Sequence, residues 1–134
     1  MVIDTSAIIA AIAAEPDHDR YREAIKTAGI RLLSAVTMLE TQIVLYARLG
    51  PASVTVFHEL VDRATIAVVP FDDALAEAAF QAYRVYGKGQ GHPAQLNIVD
   101  CAAYALAQSR GLPLLFKGND FSRTDVNPAL RPEP

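Results

Sequence analysis

The chain alternates short apolar runs with longer segments of helical character. It opens on "MVID", three apolar residues ended by Asp4, and passes at once into "TSAIIAAIAAE", whose Ala and Ile content and length predict a helix. Pro16 breaks that helix, and "DHDRYREAIKTAG" predicts a second, with Asp17 as cap candidate and Gly29 as stop. "IRLLS" reads as a second strand. Ser34 is then the expected N-cap of a long helix running to Gly50. Pro51 opens a further helix to about Ala64, "TIAVVP" supplies a third strand, and "DDALAEAAFQAYRVY" a helix with acids in its first turn. A glycine-spaced loop, "YGKGQGHP", precedes a helix that carries Asp100 and closes at Gly111. "LPLLF" is the fourth strand, "KGNDFSRTDV" a loop, and 127–131 a last short extended piece.

Strands separated by helical crossovers predict an α/β fold, with an open, mostly parallel sheet of four or five strands and helices on both faces. In such sheets ligands gather at the carboxyl ends of the strands, where Asp4 and Asp120 fall. A chain of 134 residues fits one domain with a real core, so residues 1–134 are read as a single domain. Hydrophobic residues make up 51% of the chain, yet no uncharged apolar run approaches the ~20 residues that cross a bilayer. Nor does the first segment have the basic flank of a signal peptide, so a cytoplasmic location without membrane attachment is expected. A lone cysteine, Cys101, excludes an intrachain disulfide, and His18, His58 and His92 lack zinc-ligand spacing. A net charge of −3 argues against coating nucleic acid by bulk charge and leaves any polyanion binding to local patches.

Most of the acids have ordinary explanations on polar faces or in first turns, among them Asp17, Asp19, Glu23, Glu59, Asp62, Asp72, Asp73 and Glu77. Four resist that reading. Asp4 ends a strand expected to be central, where capping of the next helix is its ordinary alternative. Glu40 has Val36, Ile43 and Val44 at helical neighbour positions. Asp100 lies in the apolar run "NIVDCAAYALA", read as the interior of its helix, with no Lys or Arg within a turn. Asp120 follows the fourth strand in "GND", which is also good turn chemistry. Two like charges about 4 Å apart repel by roughly 4 kcal/mol at an effective dielectric near 20, so four carboxylates sharing a pocket would take up protons or a cation. Oxygen ligands without His or Cys select Mg2+, or alternatively Mn2+, and such an ion with its water suits hydrolysis of phosphodiesters.

The segments "VIDTSAIIA" at 2–10, "SAVTMLE" at 34–40, "GHPAQLNIVDCAAYALA" at 91–107 and "LLFKGNDFSRTDV" at 114–126 together resemble PIN-domain nucleases, specifically VapC-type toxins of bacterial toxin–antitoxin pairs. The resemblance spans nearly the whole chain and implies a three-layer PIN-like fold and Mg2+-dependent cleavage of RNA. It also implies a homodimer, and a VapB-type antitoxin whose basic side chain enters the acidic pocket. Carried over by position, it makes Asp4, Glu40, Asp100 and Asp120 the catalytic acids, with Asp4 and Asp100 as direct metal ligands. Thr5 and Ser6 fall where an assisting hydroxyl stands. Asn119 and Asp125 are open alternatives to Asp120.

Between Glu77 and Asp100 there is no acid, while Arg84, Lys88 and His92 lie there beside three glycines. They are read as a cationic lip for a phosphate backbone, against the alternative of a solvated loop. Lys117 and Arg123 flank Asp120 and are expected to extend that patch. Cys101 is read as inert core rather than a nucleophile, and Tyr83, Tyr86 and Tyr104 as core or interface aromatics. The first helix and "IVLYARLG" are apolar enough for a dimer or antitoxin surface, with core packing as the heavier alternative. Two phosphotransfer families also place an Asp after their first strand. A haloacid-dehalogenase-type phosphatase needs a second Asp where Ser6 stands, and a response-regulator receiver needs paired acids. A non-catalytic module whose acidic pocket receives a partner's Arg or Lys is the remaining competitor.

Overall fold

A computed structural model describes residues 1–131. Its order is β1 (Val2–Ile3), α1 (Thr5–Ile12), α2 (His18–Thr27), β2 (Leu32–Ser34), α3 (Ala35–Leu49), α4 (Pro51–Arg63), β3 (Ala67–Val69), α5 (Asp73–Tyr86), α6 (Ile98–Arg110), β4 (Leu114–Leu115) and a 3-10 turn at Phe121–Arg123. The four strands form one sheet in the order β3-β2-β1-β4, with every pairing parallel. The expected α/β architecture is what the chain adopts, and β1 is central.

Because side chains alternate across a strand, the short strands feed two cores. Val2 is in register with Leu32 and Leu114, and these three join α5 and α6 in one apolar cluster. Ile3, Leu33 and Leu115 face the other way, into a cluster with Ile8, Ile25, Leu45 and Phe57 of α1–α4. Both strands flanking β1 are needed to seal it, and Val2 and Ile3 are wholly buried. The extended piece expected after residue 127 is reduced to a parallel bridge, with Ala129 N–H donating to the Leu114 carbonyl and Leu114 N–H to that of Asn127.

Helix boundaries follow local chemistry. Ser34 caps α3 by accepting from Val36 N–H (3.2 Å), and Asp72 caps α5 through Leu75 N–H (2.9 Å). Helix α6 stops at Gly111, whose φ of 63° is the left-handed conformation that ends helices. Asp17 stands at the N-cap position of α2, but its side chain makes no capping bond. Among the described residues no helix is long and apolar enough to cross a membrane.

Candidate active site

Two acids of the site are placed by helix N-termini. Asp4 leaves β1 in extended conformation and is the N-cap of α1; its Oδ2 accepts from the Ser6 backbone N–H (3.0 Å) and the Ser6 hydroxyl (2.6 Å). Asp100 is the third residue of α6, and its Oδ2 accepts from Asn97 N–H (3.0 Å) while the Asn97 side chain accepts from Asp100 N–H (2.9 Å). This reciprocal capping box corrects the reading of Asp100 as an acid in the interior of an apolar helix. It sits in the first turn, where the helix dipole and a backbone donor favour its charge. Glu40 comes from the second turn of α3, half-buried, and Asp120 from the exposed turn ahead of Phe121.

Folding brings all four together. Asp4, Glu40, Asp100 and Asp120 line one open cavity of about 460 Å³, with Thr5, Ser6, Ile9, Glu15, Val44, Arg48, Lys117 and Phe121 completing its wall. Capping and site membership are therefore not alternatives for Asp4: one oxygen caps α1, while the other, Oδ1, is buried with no hydrogen-bond partner. Burial pushes the Asp4 carboxyl above its ordinary range, the Ser6 bonds oppose that, and the Glu40 charge adds to it. Asp100 is pushed up to about 7, chiefly by burial and against the pull of the Asn97 N–H, with the charges of Asp4, Asp120 and Glu40 adding to the rise. Each carboxylate thus raises the cost of ionising its neighbour.

Ser6 is the hinge of the local network. Its hydroxyl donates to Asp4 and accepts from the Lys117 backbone N–H (2.9 Å), tying the end of β1 to the loop after β4. Thr5 is buried and bonded to Thr41 of α3 (3.2 Å between hydroxyl oxygens). Among the described residues no group of three or more His, Cys, Asp or Glu side chains forms a ready-made cage. An orphaned carboxylate oxygen among mutually repelling acids nonetheless suits a hard cation held by one or two carboxylates and otherwise by water.

The expected cationic lip does not line this cavity. Arg84, Lys88, His92 and Arg123 are absent from the cavity wall. Arg84 bonds to Gln81, and His92 accepts from Ala94 N–H and meets the Tyr86 ring edge-on. Lys117 does reach the wall, but its ammonium is held by Glu15 and by Asp17 (2.9 Å), and its hydrogen bond in turn holds the Asp17 carboxyl below its ordinary range. It is not a free substrate cation. Asn119 lies outside the wall, and Asp125 instead accepts from Tyr104 and Gln108, so Asp120 is the acid the loop brings to the cavity. Cys101 is buried, and desolvation followed by the Asp100 charge pushes its thiol up to about 11, consistent with inert core. Glu15 and Arg48 were not singled out in the sequence. The signal for Arg48 is legible afterwards: Glu40, Val44 and Arg48 are spaced by four along α3 and share one face.

A small parallel sheet with four convergent acids beyond its strand ends defines a PIN domain, and the chain belongs to that family, residues 1–127 matching it. Within the family it is 45% identical over 130 residues to the VapC ribonuclease Mb0625 of Mycobacterium bovis, covering 97% of this chain and 98% of the relative. The same identity and coverage hold for ribonuclease VapC28 of Mycobacterium tuberculosis. With ribonuclease VapC30 of that species it shares 45% identity over 126 residues, 94% of this chain and 95% of the relative. These likenesses place it among the VapC ribonucleases. Among solved structures, the fold is similar to that of M. tuberculosis VapC20, a Sarcin-Ricin loop cleaving toxin (TM-score 0.80, 19% identity, 98% of each chain). It is also similar to a chain of the DNA-bound VapBC complex of Salmonella typhimurium (TM-score 0.70, 23% identity, 95% of this chain and 93% of that one).

Proposed function

We propose that this chain is an endoribonuclease that hydrolyses RNA phosphodiester bonds with a divalent metal, Mg2+ in preference to Mn2+, and that it is the toxin of a VapBC-type pair. The single observation that carries the metal-dependent reading is Asp4 Oδ1, a buried carboxylate oxygen without a partner in a cavity shared with Glu40, Asp100 and Asp120. PIN-domain VapC ribonucleases generally use a divalent metal, and the 45% identity to named VapC ribonucleases supports RNA as substrate.

Asp4 and Asp100 would hold the ion directly, each having one oxygen committed to a helix N-terminus. When bound, such an ion supplies water activation and offsets charge on the phosphodiester. The chain's own residues do the rest. Ser6 fixes the rotamer of Asp4 through two bonds to one oxygen. Asn97 fixes Asp100 through the capping box, while Glu40 and Asp120 line the same cavity and would add negative charge that attracts a cation and orient its water. With the Asp100 carboxyl pushed up to about 7, an ion held there would take the place of a proton, so affinity for the metal is expected to rise with pH through neutrality. A single nuclease domain is proposed, residues 1–127 of which match the PIN family. Its proposed partners are a second copy of itself and a VapB-type antitoxin, whose Arg or Lys would satisfy the same acids.

The test is cleavage of RNA by the purified chain with Mg2+, with excess chelator, and after Asp4→Asn. Cleavage that needs Mg2+ and is lost in the folded variant supports the reading. Undiminished cleavage in chelator overturns it.

A further inference from the structure

Two cations stand in the wall of the acidic cavity, and they are not equivalent. The Lys117 ammonium is shared between Glu15 and Asp17. Arg48 is exposed and makes no hydrogen bond or ion pair with any described residue. It lies eight residues beyond Glu40 on the same face of α3, about 12 Å along the axis at 1.5 Å per residue, with Val44 between them. Its guanidinium forms no ion pair with these acids, yet it lines the same opening.

We propose that Arg48 is a substrate-binding residue that grips a phosphate of the RNA strand adjacent to the one being cut; this rests on the ribonuclease reading above. A polyanion entering a cavity lined by four acids is repelled by those that are ionised, and a metal ion would offset charge only at the scissile group. The strand needs a second anchor. A guanidinium offers paired donors that match phosphate oxygens, and Arg48 is the cation of the wall whose donors are unspent. Arg48 opens on the same cavity as Asp4 and Asp100 without pairing with any of its acids, which leaves its donors for a phosphate of the same strand. Arg48 thereby takes the role that the sequence suggested for Arg84, Lys88 and His92.

The experiment compares wild type, Arg48→Gln and Arg48→Lys in cleavage of a short single-stranded oligoribonucleotide at several salt concentrations. The affinity of the same oligonucleotide is measured by fluorescence anisotropy in chelator. Arg48 is exposed, so Arg48→Gln is expected to fold, which thermal unfolding checks. KM should rise about tenfold in Arg48→Gln, the low end for a charge-assisted hydrogen bond, and the slope of log affinity against log salt should shrink by about 0.7, one phosphate contact on a single strand. Arg48→Lys should keep the salt slope and recover part of the affinity. Equal oligonucleotide affinity in wild type and Arg48→Gln overturns the proposal, as does a loss confined to kcat. If wild type cleaves no RNA, the ribonuclease reading fails separately, and the anisotropy comparison still decides the role of Arg48.

Discussion

Asp100→Asn should make the metal-free protein more stable while abolishing its activity. Burial and the charges of Asp4, Asp120 and Glu40 lift the Asp100 carboxyl from 3.8 to about 7. A displacement of that size corresponds to at most about 4 kcal/mol of ionisation cost, and partial solvation of this half-buried group reduces the expected gain to about 1–3 kcal/mol. The sign follows from proton counting. Between about pH 4 and pH 7 the folded chain keeps a proton that the unfolded chain has released, so stability falls as pH rises through that window and the full penalty stands above it. Asparagine carries no charge to repel, and its side-chain carbonyl can still accept from Asn97 N–H, so the capping box survives. Thermal unfolding in chelator, followed by circular dichroism from pH 4 to pH 8, measures the effect. For a domain of this size roughly 3–5 °C per kcal/mol is expected, hence a melting temperature several degrees above wild type at pH 8 and equal to it at pH 4. Adding Mg2+ should raise wild type and leave the variant nearly unmoved. A variant no more stable than wild type at pH 8, or one offset equally at pH 4, would refute the electrostatic argument.

Ser6→Ala removes the hydroxyl bond to Asp4 and the acceptor for Lys117 N–H; a loss of about 1–3 kcal/mol in urea unfolding and a weaker Mg2+-induced stabilisation are expected. Tyr104→Phe deletes the hydroxyl that donates to Asp125, which should cost about 1 kcal/mol and raise hydrogen exchange around residues 117–126 without abolishing cleavage. In Gly87→Ala the new Cβ would clash with the Tyr83 ring and with the Tyr83 carbonyl oxygen, so a loss of about 1–3 kcal/mol is expected by calorimetry.

The elements were legible because each carries its own punctuation. Strands of two or three residues are strongly apolar, and Ser34, Asp72, Pro51 and Gly111 mark boundaries through backbone chemistry that needs no tertiary information. The position of Asp100 within its helix is hidden in the sequence because "NIVD" reads as part of the apolar run, although Asn97 and Asp100 bond to each other across three positions. The gathering of the four acids was foreseen as a hypothesis, since β1 and β4 had to end on the same side of a parallel sheet. The fate of the cations was not. Whether Lys117 is free depends on Glu15 and Asp17, a hundred residues earlier, and no local pattern records that pairing.

The place of β1 between β2 and β4 bears on when catalytic competence arises. Val2 and Ile3 pair with Leu114 and Leu115, so the earliest-made strand waits for one of the last before both its edges are covered. Such distant pairing slows folding. It also means that a ribosome-bound fragment holding Asp4, Glu40 and even Asp100 still lacks the segment that seats Asp120. Until β4 and the loop after it have docked, the four-acid cavity is incomplete, so assembly of the site is tied to the closing of the sheet.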